Sequence, residues 1–358
     1  IATGAFDTAG YEKVEVIRGA NGLLTGVGNA AGTINYVRKR PTNARQGNVG
    51  ISRGTWDTTR VELDYSTPFT ADATWAGRVV AAHEDGDSWL RANSNQRDFV
   101  YGVVDGQVGE NGTLAIGYSY QRAKSDGIMW GALVFMDSDG TQNEWPRDAT
   151  TTQDWTWWNT TNHTAFVEYT HRLGDAWQLK AAYNYRRATG DERMFYAYDG
   201  QGTGLEPGTG LGLVGYPWGG DDESTAHLGQ VSLDGTFELF GREQQAMVGV
   251  SLSRSEAINH ERTADFSSPA WGPLPPFPYP TEAIPEPAWS ERSQYSLLNQ
   301  RLARAFGATR ISLTERLNLI VGANHARYRR DGWSYDLGFD QTTSHTSPYA
   351  GLPFDFTD

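Results

Sequence analysis

The chain has 358 residues, no cysteine and a formal net charge of -13, with 41 glycines, 13 tryptophans and 17 tyrosines. No run of residues approaches the ~18 apolar positions of a membrane-spanning helix, so a helical membrane protein is excluded. The absence of cysteine excludes disulfides and thiolate chemistry. The acidic charge argues against a nucleic-acid partner, because phosphate binding needs clustered basic residues that displace counterions.

Residues 1–43 predict a small unit of their own. A short amphipathic stretch at 7–13 precedes a brief strand at 14–17, and a glycine-rich turn region separates these from a second extended stretch at 33–38. No basic and apolar leader opens the chain, and its last residues end abruptly. We therefore expect the chain to be a piece of a longer protein.

After residue 45 the dominant pattern is an alternation of apolar and polar residues with a period of two. In the segment 60–66, Val61, Leu63 and Tyr65 alternate with polar side chains, and the same pattern recurs at 114–121 and 230–239. Because successive side chains of a strand point to opposite faces, this pattern predicts strands with one apolar and one polar face. We expect about twelve such strands in residues 44–358.

The predicted connections between these strands alternate between short turns and long segments. The long segments lie near 121–160, 187–226, 256–300 and 329–345. Structureless segments of that length are uncommon in compact soluble domains, whereas outer-membrane barrels combine short turns on one side with long loops on the other. The pattern favours an all-β transmembrane barrel over a soluble all-β carbohydrate-binding protein with Trp and Tyr platforms, which remains the alternative.

Two segments carry a family resemblance. The sequence YEKVEVIRGANGLLTGVGN at 11–29 resembles the end of the plug domain of TonB-dependent receptors, and GTINYVRKRP at 32–41 resembles the segment that leads from plug to barrel. Shorter barrel segments extend the resemblance over nearly the whole chain. The most similar branch comprises ferric-siderophore receptors, including those for ferripyoverdine and for coprogen and rhodotorulic acid.

The resemblance implies a barrel of 22 antiparallel strands that encloses an α/β plug. Residues 1–43 would be the C-terminal part of the plug, and residues 44–358 the N-terminal half of the barrel. The implied function is non-enzymatic, TonB-energised uptake of ferric siderophores across the outer membrane of a Gram-negative bacterium. The implied partners are the TonB–ExbB–ExbD complex, through a TonB box upstream of Ile1, and outer-membrane lipid, with the receptor itself a monomer.

Ligand contacts are expected from aromatic side chains on the long loops and from the tip of the plug, because flat rings pack on chelates and on their scaffolds. For any one of these aromatic residues, packing within the loop or a position at the membrane interface is an alternative role. The candidates are Trp130, Tyr196, Trp155, Trp157, Trp218, Leu23, Leu24 and Thr25.

Plug and barrel are expected to be joined by ion pairs, since a buried charge needs a partner. We predict that Arg18 and Glu15 take part, with Glu62 as the barrel-wall partner and Asp64 and Glu168 as further wall candidates.

No metal site of the protein's own is predicted, because the seven histidines show no ligand spacing. No cofactor is expected either, since iron would arrive already chelated. The same fold could instead carry cobalamin, haem or a glycan.

Overall fold

A computed structural model describes residues 6–18 and 32–354. All named secondary-structure elements in these ranges are β-strands. No helix in them is long and apolar enough to cross a membrane. In chain order the strands are β1 (Tyr11–Arg18), β2 (Gly32–Arg38), β3 (Gln46–Arg53), β4 (Thr59–Pro68), β5 (Trp75–Asp87), β6 (Ser94–Val108), β7 (Gly112–Asp126), β8 (Trp157–Leu173), β9 (Trp177–Asp199), β10 (Leu213–Leu239), β11 (Arg242–Arg262), β12 (Ser293–Ser312), β13 (Asn318–Ser334) and β14 (Leu337–Gly351).

The strands form two sheets. β1 and β2 make an antiparallel pair, and β3 to β14 make a twelve-stranded sheet in which each strand pairs with its neighbours in the sequence. Every one of these pairings is antiparallel. The large sheet is open, with β3 and β14 at its two edges. It is a simple up-and-down arrangement, the topology of an antiparallel barrel wall.

The two faces of the large sheet differ as the alternation predicts. On β4, Val61, Leu63 and Tyr65 are exposed, whereas Ser66 on the other face is buried. We call the buried face the inner face, because residues 6–18 and 32–43, the inner segment, pack against it. Ala9 of the inner segment lies against an apolar cluster on this face, formed by Val80, Ala82, Phe99, Tyr101, Val103, Ala115 and Phe166. The outer face is left as an exposed apolar surface.

The connections between strands differ in length, as predicted. Two of the four predicted long loops, however, differ from the structure. Segments 127–156 and 263–292 are long and irregular, but the predicted loop at 187–226 shrinks to 200–212 because β9 and β10 extend far past the apolar surface. The predicted loop at 329–345 is wrong. There β13 and β14 pair up to a two-residue turn at Tyr335 and Asp336, both with positive φ, in place of the glycine that such turns favour.

Segments 127–156 and 263–292 pack on the extended part of the β9–β10 hairpin. Their shared core is buried and apolar, and it includes Phe195 and Leu213 of the hairpin together with Leu274 and Phe277 of the second segment. Phe195 occupies the opposite face of β9 from Tyr196, because neighbouring residues of a strand alternate. The packing fixes the hairpin and leaves its inner face open to the interior of the sheet.

We predict that the outer face contacts lipid. Replacing Val231, an exposed apolar residue of β10, with Arg should lower the free energy of unfolding in vesicles by about 2 kcal/mol or more, since a charge on the lipid face must enter hydrocarbon. Urea titration of the full-length protein in vesicles measures the change. Gln230→Arg, one residue away on the inner face, is the control, and an equal loss in both variants would contradict a lipid-facing outer face.

Candidate functional site

Asp7 is the most deeply buried carboxylate that joins the inner segment to the sheet. Its side chain is 1% exposed, and it accepts hydrogen bonds from Arg60 Nη1 at 2.8 Å, Arg60 Nη2 at 3.0 Å and Arg97 Nε at 2.9 Å. Its backbone N–H donates to Oε1 of Gln121 at 2.8 Å. Both arginines also reach Glu84 on β5. Three strands of the wall therefore converge on one residue of the inner segment.

The ionised form of Asp7 is favoured despite its burial. Desolvation by itself would raise its pKa, but the hydrogen bonds from Arg60 and Ala9 and the charges of Arg60 and Arg97 lower the pKa below its usual value. The carboxylate therefore stays charged at neutral pH, and its two arginine partners stay neutralised.

A second group of ion pairs holds the end of the inner segment, where it leads into β3. Lys39 Nζ lies 2.7 Å from Asp64 Oδ2, and Arg38 lies 3.2 Å from Glu168 Oε1. Arg40 also pairs with Glu168. Arg38 additionally donates to Asn184 Oδ1 at 2.9 Å. The two wall carboxylates, on β4 and β8, thus receive three consecutive basic residues.

Within residues 6–18 and 32–354, Arg18, Glu15 and Glu62 do not form the predicted ion pairs between plug and wall. Glu15 is exposed and pairs with Lys13 at 2.5 Å, and no described carboxylate pairs with Arg18. Glu62 pairs with Arg60 of its own strand, also at 2.5 Å. On β1, Glu15 stays with Lys13 and with Asn35 of β2, and it is Glu12 that reaches the wall, at Arg78. The inner segment meets wall carboxylates instead through Arg38, at the end of β2, and through Lys39 and Arg40 directly after it.

Five aromatic side chains form a continuous surface at the long-loop end of the sheet, which we call the aromatic wall. Trp130 and Tyr196 form a parallel bridge with ring centroids 5.5 Å apart, and Tyr216 lies 6.0 Å from Trp130. Tyr198 stacks on Tyr196 at 5.3 Å, and Trp271 meets Tyr216 edge-on at 5.0 Å. Tyr216 is the cross-strand partner of Tyr196, so the wall joins two long segments and the β9–β10 hairpin.

The remaining aromatic candidates are divided between the two sides of the hairpin. Trp155 packs on Phe195 and donates its indole N–H to the carbonyl oxygen of Ile284 at 3.0 Å, so it belongs to the loop core. Trp157 lies under the guanidinium group of Arg193, its partner in the β8–β9 register and therefore on the same side as Phe195. The structure thus separates Trp155 and Trp157 from the aromatic wall.

Trp218 shares the face of the aromatic wall, two residues beyond Tyr216 on β10. Its ring meets Tyr295 at 5.9 Å. The plug-tip candidates Leu23, Leu24 and Thr25 lie outside the described residues. Of the predicted ligand residues, the structure therefore brings Trp130 and Tyr196 into contact and places Trp218 beside them.

A partly buried carboxylate lies next to Trp218, beyond the apolar surface of the sheet. Burial and the neighbouring Asp222 carboxylate raise the pKa of Glu192 to about 7, against a hydrogen bond from Trp218 that lowers it. Burial also raises the pKa of Asp222. Each carboxylate has an oxygen that is shielded from solvent and has no described hydrogen-bond partner. This part of the interior therefore changes its charge near neutral pH.

Sequence reasoning missed Asp7, Arg97 and the role of Arg60. A signal for Arg60 was present, because Arg60, Glu62 and Asp64 occupy successive positions on the polar face of one predicted strand. A charge-rich polar face is unusual unless something charged lies against it. The pairing of Asp7 with Arg97 joins residues 90 positions apart, and no local pattern could have indicated it.

Comparison with known proteins agrees with this geometry. The family model described as "TonB dependent receptor-like, beta-barrel" matches residues 105–358. The ferripyoverdine receptor of Pseudomonas aeruginosa is 29% identical over 98% of this chain and 42% of its own length. The ferric-pyoverdine BN7/BN8 receptor of Pseudomonas putida is 28% identical over 97% of this chain and 43% of its own.

Solved structures give the same result. The crystal structure of the outer-membrane ferripyoverdine receptor of Pseudomonas aeruginosa bound to ferripyoverdine superposes with a TM-score of 0.87 and 27% identity, over 98% of this chain and 46% of that one. The chain therefore spans less than half the length of the curated relatives and of this structure.

An open antiparallel sheet with an apolar outer face and a charged inner face defines a segment of an outer-membrane barrel wall. The chain belongs to the TonB-dependent receptor β-barrel family, and its location is the outer membrane of a Gram-negative bacterium. The alternative of a soluble all-β carbohydrate-binding protein is wrong, because that class does not share this family.

We predict that Asp7→Asn loosens the inner segment. The substitution removes one of the two carboxylates that Arg60 and Arg97 share and leaves them Glu84. We expect a loss of about 2 kcal/mol, below the usual 3–5 kcal/mol for a broken buried pair, because both arginines are partly solvated and keep this second partner. Hydrogen exchange of residues 6–18 in the full-length protein measures the loosening as faster exchange. Glu15→Gln, which removes an exposed ion pair, should leave the exchange rates unchanged. Unaltered exchange in Asp7→Asn would contradict the anchoring role.

We also predict a pH effect from Glu192. Its folded pKa, about 7, lies above its ordinary value, so the stability linked to its proton is present below the ordinary pKa and is lost as the pH rises towards 7. The fall in Tm between pH 5 and pH 8 should therefore be smaller in Glu192→Gln than in the wild type. Glu223→Gln, which alters an exposed carboxylate paired with Arg187, is the control, and identical falls in all three proteins would rule out the effect.

Proposed function

We propose that the full-length protein is a receptor and transporter that takes up a ferric siderophore, with a ferric pyoverdine as the expected class of cargo. Membership of the TonB-dependent receptor family supports transport, and the two pyoverdine-receptor relatives support the cargo. The observation that carries the proposal is the aromatic wall, which faces the interior of the sheet at its long-loop end. The proposed activity involves no catalysis and no resident cofactor, because the iron travels inside its chelate.

The proposed architecture is a closed barrel of 22 antiparallel strands around a plug. Residues 1–43 would supply the C-terminal part of the plug, and residues 44–358 the N-terminal part of the barrel. The open edges at β3 and β14 support this proposal, because unpaired backbone groups cannot face hydrocarbon and a further set of strands must satisfy them. Such a barrel encloses its own site, and we expect it to act as a monomer.

The aromatic wall suits a flat metal chelate. The ring centroids of Tyr196 and Tyr216 lie 5.5 Å and 6.0 Å from that of Trp130, and aromatic side chains contribute large contact areas at low entropic cost. The tyrosine hydroxyls supply hydrogen bonds to a polar scaffold. Trp218 beside Glu192 adds an indole next to a group that changes charge near pH 7. The wall would thus contact one side of the ligand, and the rest of the barrel and the plug tip the other.

The ion pairs of the inner segment suit a plug that must stay bound to the barrel wall and later come away from it. Lys39, Arg38 and Arg40 bind two wall carboxylates through partly exposed pairs, and such pairs contribute about 0–1 kcal/mol each. A pull from the periplasm can therefore break them one after another. We propose that the TonB–ExbB–ExbD complex supplies that force, through a segment upstream of this chain. Nucleic acid has no place in this scheme.

We expect ferripyoverdine to quench the intrinsic fluorescence of the full-length receptor. Trp130→Ala and Tyr196→Ala should each weaken the affinity about tenfold or more, as for other central aromatic contacts. Trp89→Ala removes an exposed tryptophan outside the aromatic wall and should leave the affinity unchanged.

The same titration separates the cargo classes. Other ferric siderophores, haem, cobalamin and oligosaccharides are titrated in parallel. If one of the last three binds tightly while no ferric siderophore does, the proposed cargo is wrong although the fold is kept. If ferripyoverdine binds equally well to the wild type, Trp130→Ala and Tyr196→Ala, the aromatic wall is not the binding surface.

A further inference from the structure

Four exposed arginines lie side by side on the outer face of β11, β12 and β13. Arg254 is directly opposite Arg301, and Arg301 is directly opposite Arg329, so that three guanidinium groups form a row across neighbouring strands. Arg327 lies on the same face, two residues from Arg329. We call these four residues the arginine ledge.

The arginine ledge borders the apolar part of the outer face. Val250 and Leu252 precede Arg254 on β11 and are exposed. Arg254 lies twelve residues from the start of β11 at Arg242, which at ~3.4 Å per residue and a tilt of ~40° is about 30 Å along the membrane normal. That distance equals the thickness of the hydrocarbon core of a bilayer. The ledge therefore lies where hydrocarbon gives way to headgroups, on the side of the long loops.

Most of this positive charge has no protein counter-ion. Arg329 pairs with Asp331 and Asp340, but no carboxylate of the described chain pairs with Arg254, Arg301 or Arg327. Glu256, two residues beyond Arg254 on the same face, forms no ion pair with them. Like charges directly opposite one another destabilise a sheet, so an arrangement of this kind needs an anion from outside the chain.

The same face of the sheet provides a contrast at β9 and β10. There Arg187 donates two hydrogen bonds to Glu223, at 2.8 Å and 3.1 Å. Its charge is therefore neutralised within the protein. An arginine on the outer face can therefore be neutralised by a carboxylate of the same face, whereas within the described residues Arg254, Arg301 and Arg327 are not.

We propose that the arginine ledge binds the phosphate groups of an anionic membrane lipid in the leaflet on the long-loop side. The guanidinium fork matches the geometry of phosphate oxygens, and a protonated guanidinium is permanently charged. A shallow groove joins the ledge to apolar side chains that include Val231, Val250, Leu252 and Ala303, which would contact the acyl chains. The proposal requires the membrane location of the barrel wall and is independent of the cargo.

The test measures the binding of a bis-phosphorylated lipid A to the full-length receptor in a neutral detergent, by native mass spectrometry. The triple variant Arg254→Gln, Arg301→Gln, Arg327→Gln should bind about 100-fold more weakly, since each basic residue near an anionic surface contributes a factor of about five. The corresponding Arg→Lys triple variant keeps the charge and should stay within about tenfold of the wild type. Inorganic phosphate at millimolar concentration should not displace the lipid, because it lacks the acyl contacts.

Matched controls keep the outcome decisive. Arg187→Gln removes one exposed but paired charge from the same face and should leave lipid binding unchanged, whereas Arg301→Gln alone should weaken it about fivefold. In detergent without lipid the Gln triple variant should be at least as heat-stable as the wild type, since repulsion is relieved. Added lipid A should raise the Tm of the wild type and not that of the Gln triple variant. Equal lipid binding by the wild type and the Gln triple variant, or an equal loss in Arg187→Gln, would overturn the proposal.

Discussion

Every backbone N–H and C=O group that lies in hydrocarbon must find its partner within the protein. This constraint explains why β3 to β14 run antiparallel in unbroken sequence order, and why each pairs along its length with its neighbours. The up-and-down arrangement in turn gives every strand one face towards lipid and one towards the interior. The separation of an apolar outer face from a charged inner face follows from this arrangement.

A second requirement applies to the inner face, which must match the charges that pack against it. A wall with lipid on one side and the inner segment on the other must match the charges of that segment, because a buried charge without a partner is costly. Arg60 and Arg97 meet Asp7, while Asp64 and Glu168 meet the basic residues at the end of β2 and directly after it. The two sets have opposite polarity, so the inner segment can dock in one position and resists displacement along the wall. The buried contact at Asp7 is the firmer anchor, and the more exposed pairs near β3 are those that can yield.

Beyond the apolar surface the strands no longer contact lipid, and the packing of the long segments determines which of their faces is buried. The β9–β10 hairpin continues to Asp199 because segments 127–156 and 263–292 bury one of its faces in an apolar core. Its other face carries Tyr196, Tyr198 and Tyr216 of the aromatic wall. The alternation that separates the lipid side from the inner segment nearer the short turns separates the loop core from the candidate ligand surface here. Trp155 and Tyr196 consequently have different environments although both lie in aromatic-rich segments.

Much of this molecule was determined by sequence alone. The period-two alternation predicts about twelve strands, and the large sheet has twelve. The segments at 11–29 and 32–41 indicate the family. Trp130 and Tyr196, two candidates from the sequence, are in contact in the structure. The alternation of apolar and polar residues along a strand is a local pattern, and so is a family's sequence segment, which is why both can be recognised without the structure. The tertiary structure alone decided that Asp7 meets Arg97, that 329–345 is a tight hairpin and that Trp155 faces the loop core. Each of those outcomes depends on which distant segment covers a given face, and a linear pattern does not contain that information.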